Sequence, residues 1–561
     1  MKNGKKAKII IYVVIAVIAA LYVFETAVNL SPLYAEGALF WCALISICTL
    51  VWGVFKVGAT ISNVFSQRDA NGRPVLDLSA LSFKSFPKWA KVLIVGPWVL
   101  FIVATIGSSV IFNSKAYRDQ LGNPEVQTFT SDLQAMDLNQ IPIVDKDLAK
   151  KLADKKLGEK PSLGSQVILG EPTIQRVDGE LIWAVPLYHS GFFKWLTNLS
   201  GSAGYITVSA TNVNDVNYVD EYKIKYQPNS YLLHDLSRWV RFTAAPFTGI
   251  TDYSFELDDN GVPHWIVTTY KNLRGFALPE ATGVIIVNAS TGESTKCKID
   301  EVPDWVDRVQ PEYFIRSQIN NQGEYVHGFL NFSDKDKFKA SSGQAIVYNN
   351  DRCYLFTGLT SVGNDESSIG FIMVDMVTKQ PLLYQMNGAT EEAAMSSAQG
   401  KVQHLGYYAS FPLIVNCDGN PTYFMTLKDR EGLIKQYAMV SVQNYSIVAV
   451  GETKSQVYKN YQQAIRQSGT GDSLVHTSEN AKTASGRVIR VEGEFNGTAM
   501  KYFFVIEGYE DKLFVADSTI SHELPLTRDD DEVSLTYYEY GDGPVLEVIG
   551  FDNLAFTQKE N

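Results

Sequence analysis

The sequence predicts an α+β protein with three N-terminal transmembrane helices, tandem small antiparallel α+β modules and a small C-terminal β-barrel. Residues 92–112, VLIVGPWVLFIVATIGSSVIF, carry no charge. At about 1.5 Å per residue they can cross a hydrocarbon core roughly 30 Å thick. Beyond them, four similar turn-and-strand patterns predict repeated modules, and a last series of short strands predicts the barrel.

Charge is distributed unevenly along the 561 residues, which are too many for a single core. The protein has 49 Lys or Arg and 61 Asp or Glu, of which residues 1–91 hold ten and four; the remainder therefore holds 39 and 57, a net charge of −18. This acidity argues against a nucleic-acid partner. The five cysteines include no CxxC pair, and whether Cys297, Cys353 or Cys417 form a disulfide stays open.

The membrane domain, residues 1–113, is predicted to contain helices at about 9–30, 38–58 and 91–112. Loop 31–37 has no Lys or Arg, whereas loop 66–91 has five. The positive-inside rule therefore predicts a cytoplasmic N-terminus and an extracytoplasmic location for everything after Phe112. Three helices without a charged pathway indicate an anchor in the plasma (inner) membrane rather than a transporter. Glu25 is predicted to lie at the interface and reach water.

A connector, 114–143, precedes four predicted α+β repeats at 144–228, 229–310, 311–388 and 389–467, which we call modules 1 to 4. Short helices are predicted at 145–157, 229–241 and 390–399, before modules 1, 2 and 4. Each module has a turn signal, an aromatic-bearing strand and a closing strand with a valine before Ser, Asn or Asp. We predict that these valines are equivalent inward positions of four separate cores: Val208, Val287, Val374 and Val440.

The helix with spaced alanines, the hairpin and the closing strand VNASTGE (287–293) resemble PepSY-type domains, whose last strand typically ends Val-Asp-Ala-x-Thr-Gly-Glu. Module 2 matches best, and the others keep the strand but lose Thr-Gly-Glu. The resemblance implies tandem, mostly non-catalytic extracytoplasmic modules. Some such domains are inhibitory propeptides of proteases, and others occur in membrane-anchored proteins that bind or hold a partner enzyme.

The C-terminal region begins with a predicted helix at 454–467 and a linker, 468–483. Residues 484–561 then read as successive short strands, which predicts a small β-barrel of the OB or SH3-like kind. We expect this barrel to be structural or protein-binding.

No motif for a reaction is present: the seven histidines form no HExxH, and neither a P-loop nor GxSxG occurs. We therefore predict no catalytic residue, metal site or cofactor. The acidic run at 528–532 lacks calcium-loop spacing and is predicted to be a solvated turn. In VPDWVDRVQP (302–311), Trp305, Asp304 and Asp307 are candidate partner-binding residues. The alternative, which we prefer, is a wedge joining modules 2 and 3.

These patterns predict a membrane-anchored, extracytoplasmic, non-catalytic protein that binds or scaffolds a protein partner in the cell envelope. Its oligomeric state stays open. Two alternatives remain. One is an envelope hydrolase with paired carboxylates between modules, since such pairs leave no sequence signature. The other is an accessory subunit of a transport or secretion complex.

Overall fold

The computed structural model describes residues 2–56, 86–127, 129, 138, 140–330, 332–349, 351–362, 368–468, 481–495, 500–518, 520–538 and 545–557. The protein divides into two compact parts, Met1–Ala464 and Ile465–Asn561. Helices and antiparallel sheets are mixed throughout, so the predicted α+β class is confirmed.

Three apolar helices form the N-terminal region: α1 (Lys2–Thr26), α2 (Ala35–Lys56) and α3 (Lys88–Ser108). Each contains a stretch long and apolar enough to cross a membrane, which confirms three candidate spans. The first ends before residue 30, where Ala27 takes a φ of +49°. The third ends before residue 112, because the backbone becomes extended at Ser109 and restarts as α4 (Val110–Asp119). Most of the basic loop lies outside the described residues, so the orientation stays a prediction.

The connector contributes β1 (Glu125–Gln127). Module 1 then contains α5 (Lys146–Gly158), α6 (Pro161–Gly164), β2 (Val167–Leu169), β3 (Thr173–Val177), β4 (Glu180–His189), α7 (Phe192–Thr197), β5 (Tyr205–Ser209) and β6 (Val216–Val219). Its sheet has the order β2-β4-β5-β6, with β3 also paired to β4. Module 2 contains a 3₁₀ turn (Leu232–His234), α8 (Leu236–Thr243), β7 (Gly249–Leu257), β8 (Pro263–Arg274), β9 (Ala277–Asn288) and β10 (Ser294–Lys298). These strands form a meander of order β10-β9-β8-β7.

Module 3 contains α9 (Glu312–Glu324), β11 (Phe338–Ala340), β12 (Ala345–Asn349), β13 (Arg352–Ser361), β14 (Ser368–Asp375) and β15 (Pro381–Gly388). The connector strand β1 joins its sheet in parallel beside β15. Module 4 contains α10 (Glu391–Lys401), β16 (Tyr408–Ala409), β17 (Leu413–Cys417), β18 (Asn420–Lys428), β19 (Ile434–Ser441) and β20 (Val448–Gly451). Helix α11 (Lys454–Gln467) follows, and Thr422 Oγ1 donates to Tyr461 Oη on it at 2.9 Å.

Local signals explain why the helices before modules 1, 2 and 4 begin where they do. Asp145, Asp235 and Thr390 each accept a hydrogen bond from the backbone N–H three residues later. Helix α8 starts at Leu236, later than the predicted residue 229, because Asp235 is its cap. Helix α9 was not predicted from the sequence. It follows Pro311 and has no side-chain cap.

The four predicted valines occupy one register position. Each lies directly opposite the residue four positions after the hairpin turn: Val208 opposite Trp183, Val287 opposite Trp265, Val374 opposite Leu355 and Val440 opposite Tyr423. All four valines are fully buried. Directly opposed residues of antiparallel strands point to the same face. The predicted equivalence of the valines is therefore confirmed.

The prediction of four separate cores is wrong. Ala184 and Tyr205 of module 1 share a core with Phe255 and Trp265 of module 2. Modules 3 and 4 likewise share a core, which contains Phe356, Phe371, Tyr423 and Met425. The central strands are apolar on both faces, and a helix covers only one of them. The uncovered sheet face is therefore buried against the next module.

Module 2 is fastened to the ends of the apolar helices. Tyr34 Oη, just before α2, donates to the Tyr270 carbonyl at 2.8 Å. At the tip of the β8–β9 hairpin, the Phe276 N–H donates to Ser108 Oγ at 3.0 Å, and the ring centroids of Phe276 and Phe101 are 5.2 Å apart. Module 2 therefore contacts helix α3 directly and α2 through its preceding loop.

The C-terminal part contains β21 (Ala481–Phe495), β22 (Met500–Ile506), β23 (Leu513–Asp517), β24 (Glu532–Tyr538), β25 (Val545–Asn553) and α12 (Leu554–Thr557). The strands pair in the order β21-β22-β23-β25-β24, and β24 also pairs with β21. Strands β23 and β25 are parallel, and the other pairs are antiparallel. Phe504, Phe514, Leu535 and Val548 form part of the core. The OB or SH3-like assignment stays a prediction.

Candidate functional site

The three predicted partner-binding residues have different surroundings. Asp304 is exposed. Trp305 is half-buried, and its ring centroid lies 5.0 Å from that of His264. Asp307 is 9% exposed, and both groups bound to its carboxylate belong to this protein. Asp304 and part of Trp305 are therefore accessible to a partner, whereas the Asp307 carboxylate is engaged within the protein.

Segment 302–311 lies between the sheet of module 2 and module 3. Thr268 Oγ1, on β8, donates to the Val309 carbonyl at 2.8 Å. From module 3, the Met376 carbonyl accepts from the N–H groups of Val309 and Gln310 at 2.9 and 2.8 Å. Val306 and Val309 pack in one cluster with Ile266 of β8. These are the contacts expected of a wedge between the two modules.

A polar cluster forms where this segment meets modules 1, 2 and 3; we call Glu256, Asp307, Arg308, Tyr348 and Cys353 the junction cluster. Glu256, on β7, is fully buried. Its carboxylate accepts from the Asp307 N–H at 2.9 Å and from Ser254 Oγ at 2.7 Å. Asp307 accepts from Tyr348 Oη, on β12, at 2.8 Å and from the Arg176 N–H, on β3, at 3.0 Å. Two carboxyl groups thus join three modules.

Burial and, to a smaller extent, the charge of Asp307 raise the pKa of Glu256 to about 8. Burial also raises the pKa of Asp307, although the hydrogen bonds from Tyr348 and the Arg176 N–H oppose this effect. Burial lowers the pKa of Arg308, but Cys353, Glu312, Tyr348 and Glu256 outweigh it and raise the value overall. Arg308 Nη1 donates to the Glu312 carboxylate at 3.1 Å. A positive charge therefore stays beside a carboxyl pair that favours retaining a proton.

This arrangement can store a proton and hold modules together, but it does not expose reactive groups. Burial, followed by the charge of Asp307, raises the pKa of Cys353 well above its usual value. The thiol therefore stays protonated and is not a thiolate nucleophile. Glu256 has no exposed surface and Asp307 has little. In this conformation a substrate could not contact the carboxyl pair.

Asp307 was identified as a candidate from the sequence, but its neighbours Glu256, Arg308 and Tyr348 were missed. One local signal was present: Glu256 stands between Phe255 and Leu257, both buried, on a strand. A carboxylate at the centre of such a strand indicates a buried partner. The identity of that partner depends on contacts across three modules, which sequence spacing does not report.

Other polar groups of interest have partners within the protein. In the acidic run, Asp531 accepts from the Arg528 N–H at 2.8 Å and from Asn553 Nδ2 at 3.0 Å. Among the residues that the structure describes, no group of three or more His, Cys, Asp or Glu residues could hold a metal ion. All five cysteines, each of them a described residue, are free thiols.

Comparison with known proteins gives weak likenesses only. A solved structure of a complex of BT0996 and RGII aligns with 62% of the present sequence and 85% of its own, at 10% identity and a TM-score of 0.16. A second, the crystal structure of an exo-1,5-alpha-L-arabinanase from a bovine ruminal metagenomic library, aligns with 54% and 80%, at 12% identity and a TM-score of 0.15. Neither alignment bears on fold or function. No family model and no curated protein match the sequence.

Proposed function

We propose that this protein is a membrane-anchored, extracytoplasmic binding or scaffolding protein of the cell envelope, which holds a protein partner on its tandem modules. One observation carries the proposal: the modules share cores, and module 2 is bonded directly to the apolar helices. Such a platform holds a bound partner at a defined position beside the membrane. Preorganised surfaces of this kind lose little entropy when they bind.

Three contacts support a rigid connection between platform and anchor. Arg241 Nε donates to the Ala27 carbonyl at 3.0 Å, and its Nη1 donates to the Thr248 carbonyl at 2.7 Å. Gln120 Nε2, just after α4, donates to the Pro279 carbonyl at 2.8 Å. Lys379 of module 3 forms an ion pair with Glu280 of module 2 and donates to the Gln120 carbonyl. The platform is therefore held to the helices at several separate points.

The partner surface in this proposal is centred on Asp304 and the accessible part of Trp305. A half-buried tryptophan beside an exposed carboxylate offers apolar contact area and a charge to a partner with a basic face. The net charge of −18 beyond residue 91 favours the same kind of partner. Association should slow as salt rises, because salt screens long-range attraction.

The finer assignments belong to the same proposal. A helix followed by paired antiparallel strands in all four modules supports their PepSY-like nature. Five strands paired in a ring, with β23 and β25 parallel, support an OB-like barrel. The excess of Lys and Arg in the loop before α3 supports a plasma-membrane anchor with a cytoplasmic N-terminus.

The hydrolase alternative rests on the neighbouring residues Glu256 and Asp307, whose carboxyl groups lie between modules as that hypothesis requires. It would need an opening of the junction cluster, because both groups are enclosed. It predicts that the purified full-length protein degrades an envelope polymer and that Glu256→Gln abolishes the activity. Such a result would overturn the binding proposal.

Site-specific photo-crosslinking in native membranes tests the binding proposal. A photo-reactive amino acid replaces Asp304 in the full-length protein, and a matched control replaces Tyr445, an aromatic residue of module 4 that is 54% exposed. We expect one discrete protein adduct at position 304 and none at 445. Trp305→Ala should reduce the adduct several-fold while leaving the proteolysis pattern unchanged. Equal labelling at both positions, or an adduct insensitive to Trp305→Ala, would contradict the proposed surface.

A further inference from the structure

Two neighbouring segments expose a continuous group of large apolar side chains, which we call the aromatic ledge: Phe192, Phe193 and Leu196 of α7, and Leu232 and Leu233 of the 3₁₀ turn. Phe193 is 78% exposed and Leu232 is 57% exposed. Single exposed apolar residues are common, but a contiguous group of five usually marks a surface that another molecule covers.

The ledge is a built surface, held from beneath by Trp195. This residue is buried, and its Nε1 donates to His234 Nδ1 at 2.9 Å. Burial lowers the pKa of His234, which keeps Nδ1 free to accept. Tyr231 packs between the segments, with its ring centroid 5.1 Å from that of Phe192 and 5.3 Å from that of Trp195. Module 1 and module 2 thus present their exposed apolar side chains together.

A single guanidinium connects the ledge to the end of the first apolar helix. Arg238 Nη1 donates to the Leu232 carbonyl at 3.1 Å. Its Nε donates to the Phe24 carbonyl at 3.0 Å, and its Nη2 lies 3.2 Å from the Glu25 carboxylate. Phe24 belongs to the apolar stretch Lys8–Thr26, and its ring stacks on that of Phe242 with the centroids 6.0 Å apart. Leu232 is therefore within one side chain of a candidate membrane span.

We propose that the aromatic ledge enters the interfacial zone of the bilayer that holds α1, with lipid as its partner. The end of a spanning helix lies at the boundary between hydrocarbon and headgroups, where aromatic side chains are favoured. The ledge continues from that end and carries phenylalanine and leucine on its exposed side. Lys194, exposed on α7, is available to anionic headgroups. This inference goes beyond the proposed function, because it holds whichever protein the modules bind.

Photo-crosslinking to lipid tests the inference with the full-length protein. Benzoylphenylalanine, an aromatic residue that bonds covalently to nearby C–H groups on illumination, is introduced at Phe193. The purified protein is reconstituted in vesicles of phosphatidylcholine and phosphatidylglycerol, and adducts are measured by mass spectrometry. Leu21, 62% exposed in the first span, is the positive control, and Tyr445 is the control in module 4.

We expect lipid adducts at Phe193 in a yield comparable to that at Leu21 and several-fold above that at Tyr445. A yield no higher than that at Tyr445 would overturn the inference. A covalent dimer in place of lipid adducts would also overturn it, since a second copy of the protein would then cover the ledge. Folding is not at issue, because Phe193 is largely exposed and its aromatic character is kept.

Discussion

Replacing Glu256 by Gln should remove a pH-dependent weakness at the meeting point of three modules. Gln has nearly the same shape, and it can still accept from the Asp307 N–H while its amide donates to Ser254 Oγ. The substitution removes only the titratable charge. We therefore expect module 2 of the variant to be as stable as the wild type in acid and more stable in alkali.

The size of the effect follows from the pKa of Glu256. In the unfolded protein the carboxyl loses its proton near pH 4.5, whereas in the folded protein it keeps it up to about pH 8. Between these values the folded state binds more protons, so the free energy of unfolding falls as pH rises. At about 1.4 kcal/mol per pKa unit, the loss is on the order of 5 kcal/mol. The raised pKa of Asp307 acts in the same direction.

Native-state hydrogen exchange between pH 5 and 9 measures this local stability, which a single unfolding midpoint of a multi-domain protein would not. The amides of β7 and β8 report the opening free energy of module 2 after correction for intrinsic exchange rates. Glu293→Gln, at an exposed carboxylate of the same module, is the matched control. The wild type and the control should lose protection as pH rises, and Glu256→Gln should lose much less.

Two results would refute this reasoning. If Glu256→Gln loses protection with pH as steeply as the wild type, the titration of Glu256 is not the source of the weakness. If the variant is less stable than the wild type at every pH, module 2 needs the carboxylate as an anion, and the raised pKa of Glu256 is contradicted.

Two further predictions concern packing and topology. Val374→Asp buries an unpaired charge and should cost several kcal/mol, so limited proteolysis should open module 3 before modules 1 and 2; an unchanged pattern would contradict the register. In a background without the five native cysteines, a cysteine at Ser162 should react with an impermeant thiol reagent in intact cells, whereas one at Ser79, outside the described residues, should not. The opposite labelling would reverse the predicted orientation.

Short-range features of the modules were predictable because neighbouring residues determine them. The turn at Asp178-Gly179 places both residues at positive φ, 50° and 82°, as a two-residue hairpin requires. The valine that pairs opposite Trp183 follows from that turn, since the turn sets the register of the strands. The same argument holds for the turn at Asp418-Gly419 in module 4.

Features that depend on distant contacts were not predictable. Helix α9 was missed because its buried face includes Gln318 beside Phe314, Ile315 and Ile319, which weakens the apolar pattern. The shared cores were missed because periodicity shows that a strand has two apolar faces but not what covers each one. The junction cluster combines side chains from separate modules, so Asp307 alone gave no sign of its partner Glu256.

The β8–β9 hairpin has a mechanical consequence. Its tip contacts α3, where a Cβ on Gly275 would overlap Ser108 Oγ. Seven residues back along β8, Thr268 is bonded to Val309 in the wedge. At about 3.3 Å per residue the two contacts are roughly 23 Å apart, joined by an almost inextensible hydrogen-bonded ribbon. A displacement of the end of α3 therefore acts on the wedge as a push rod acts on a valve, and tension on the modules returns to the helix by the same route.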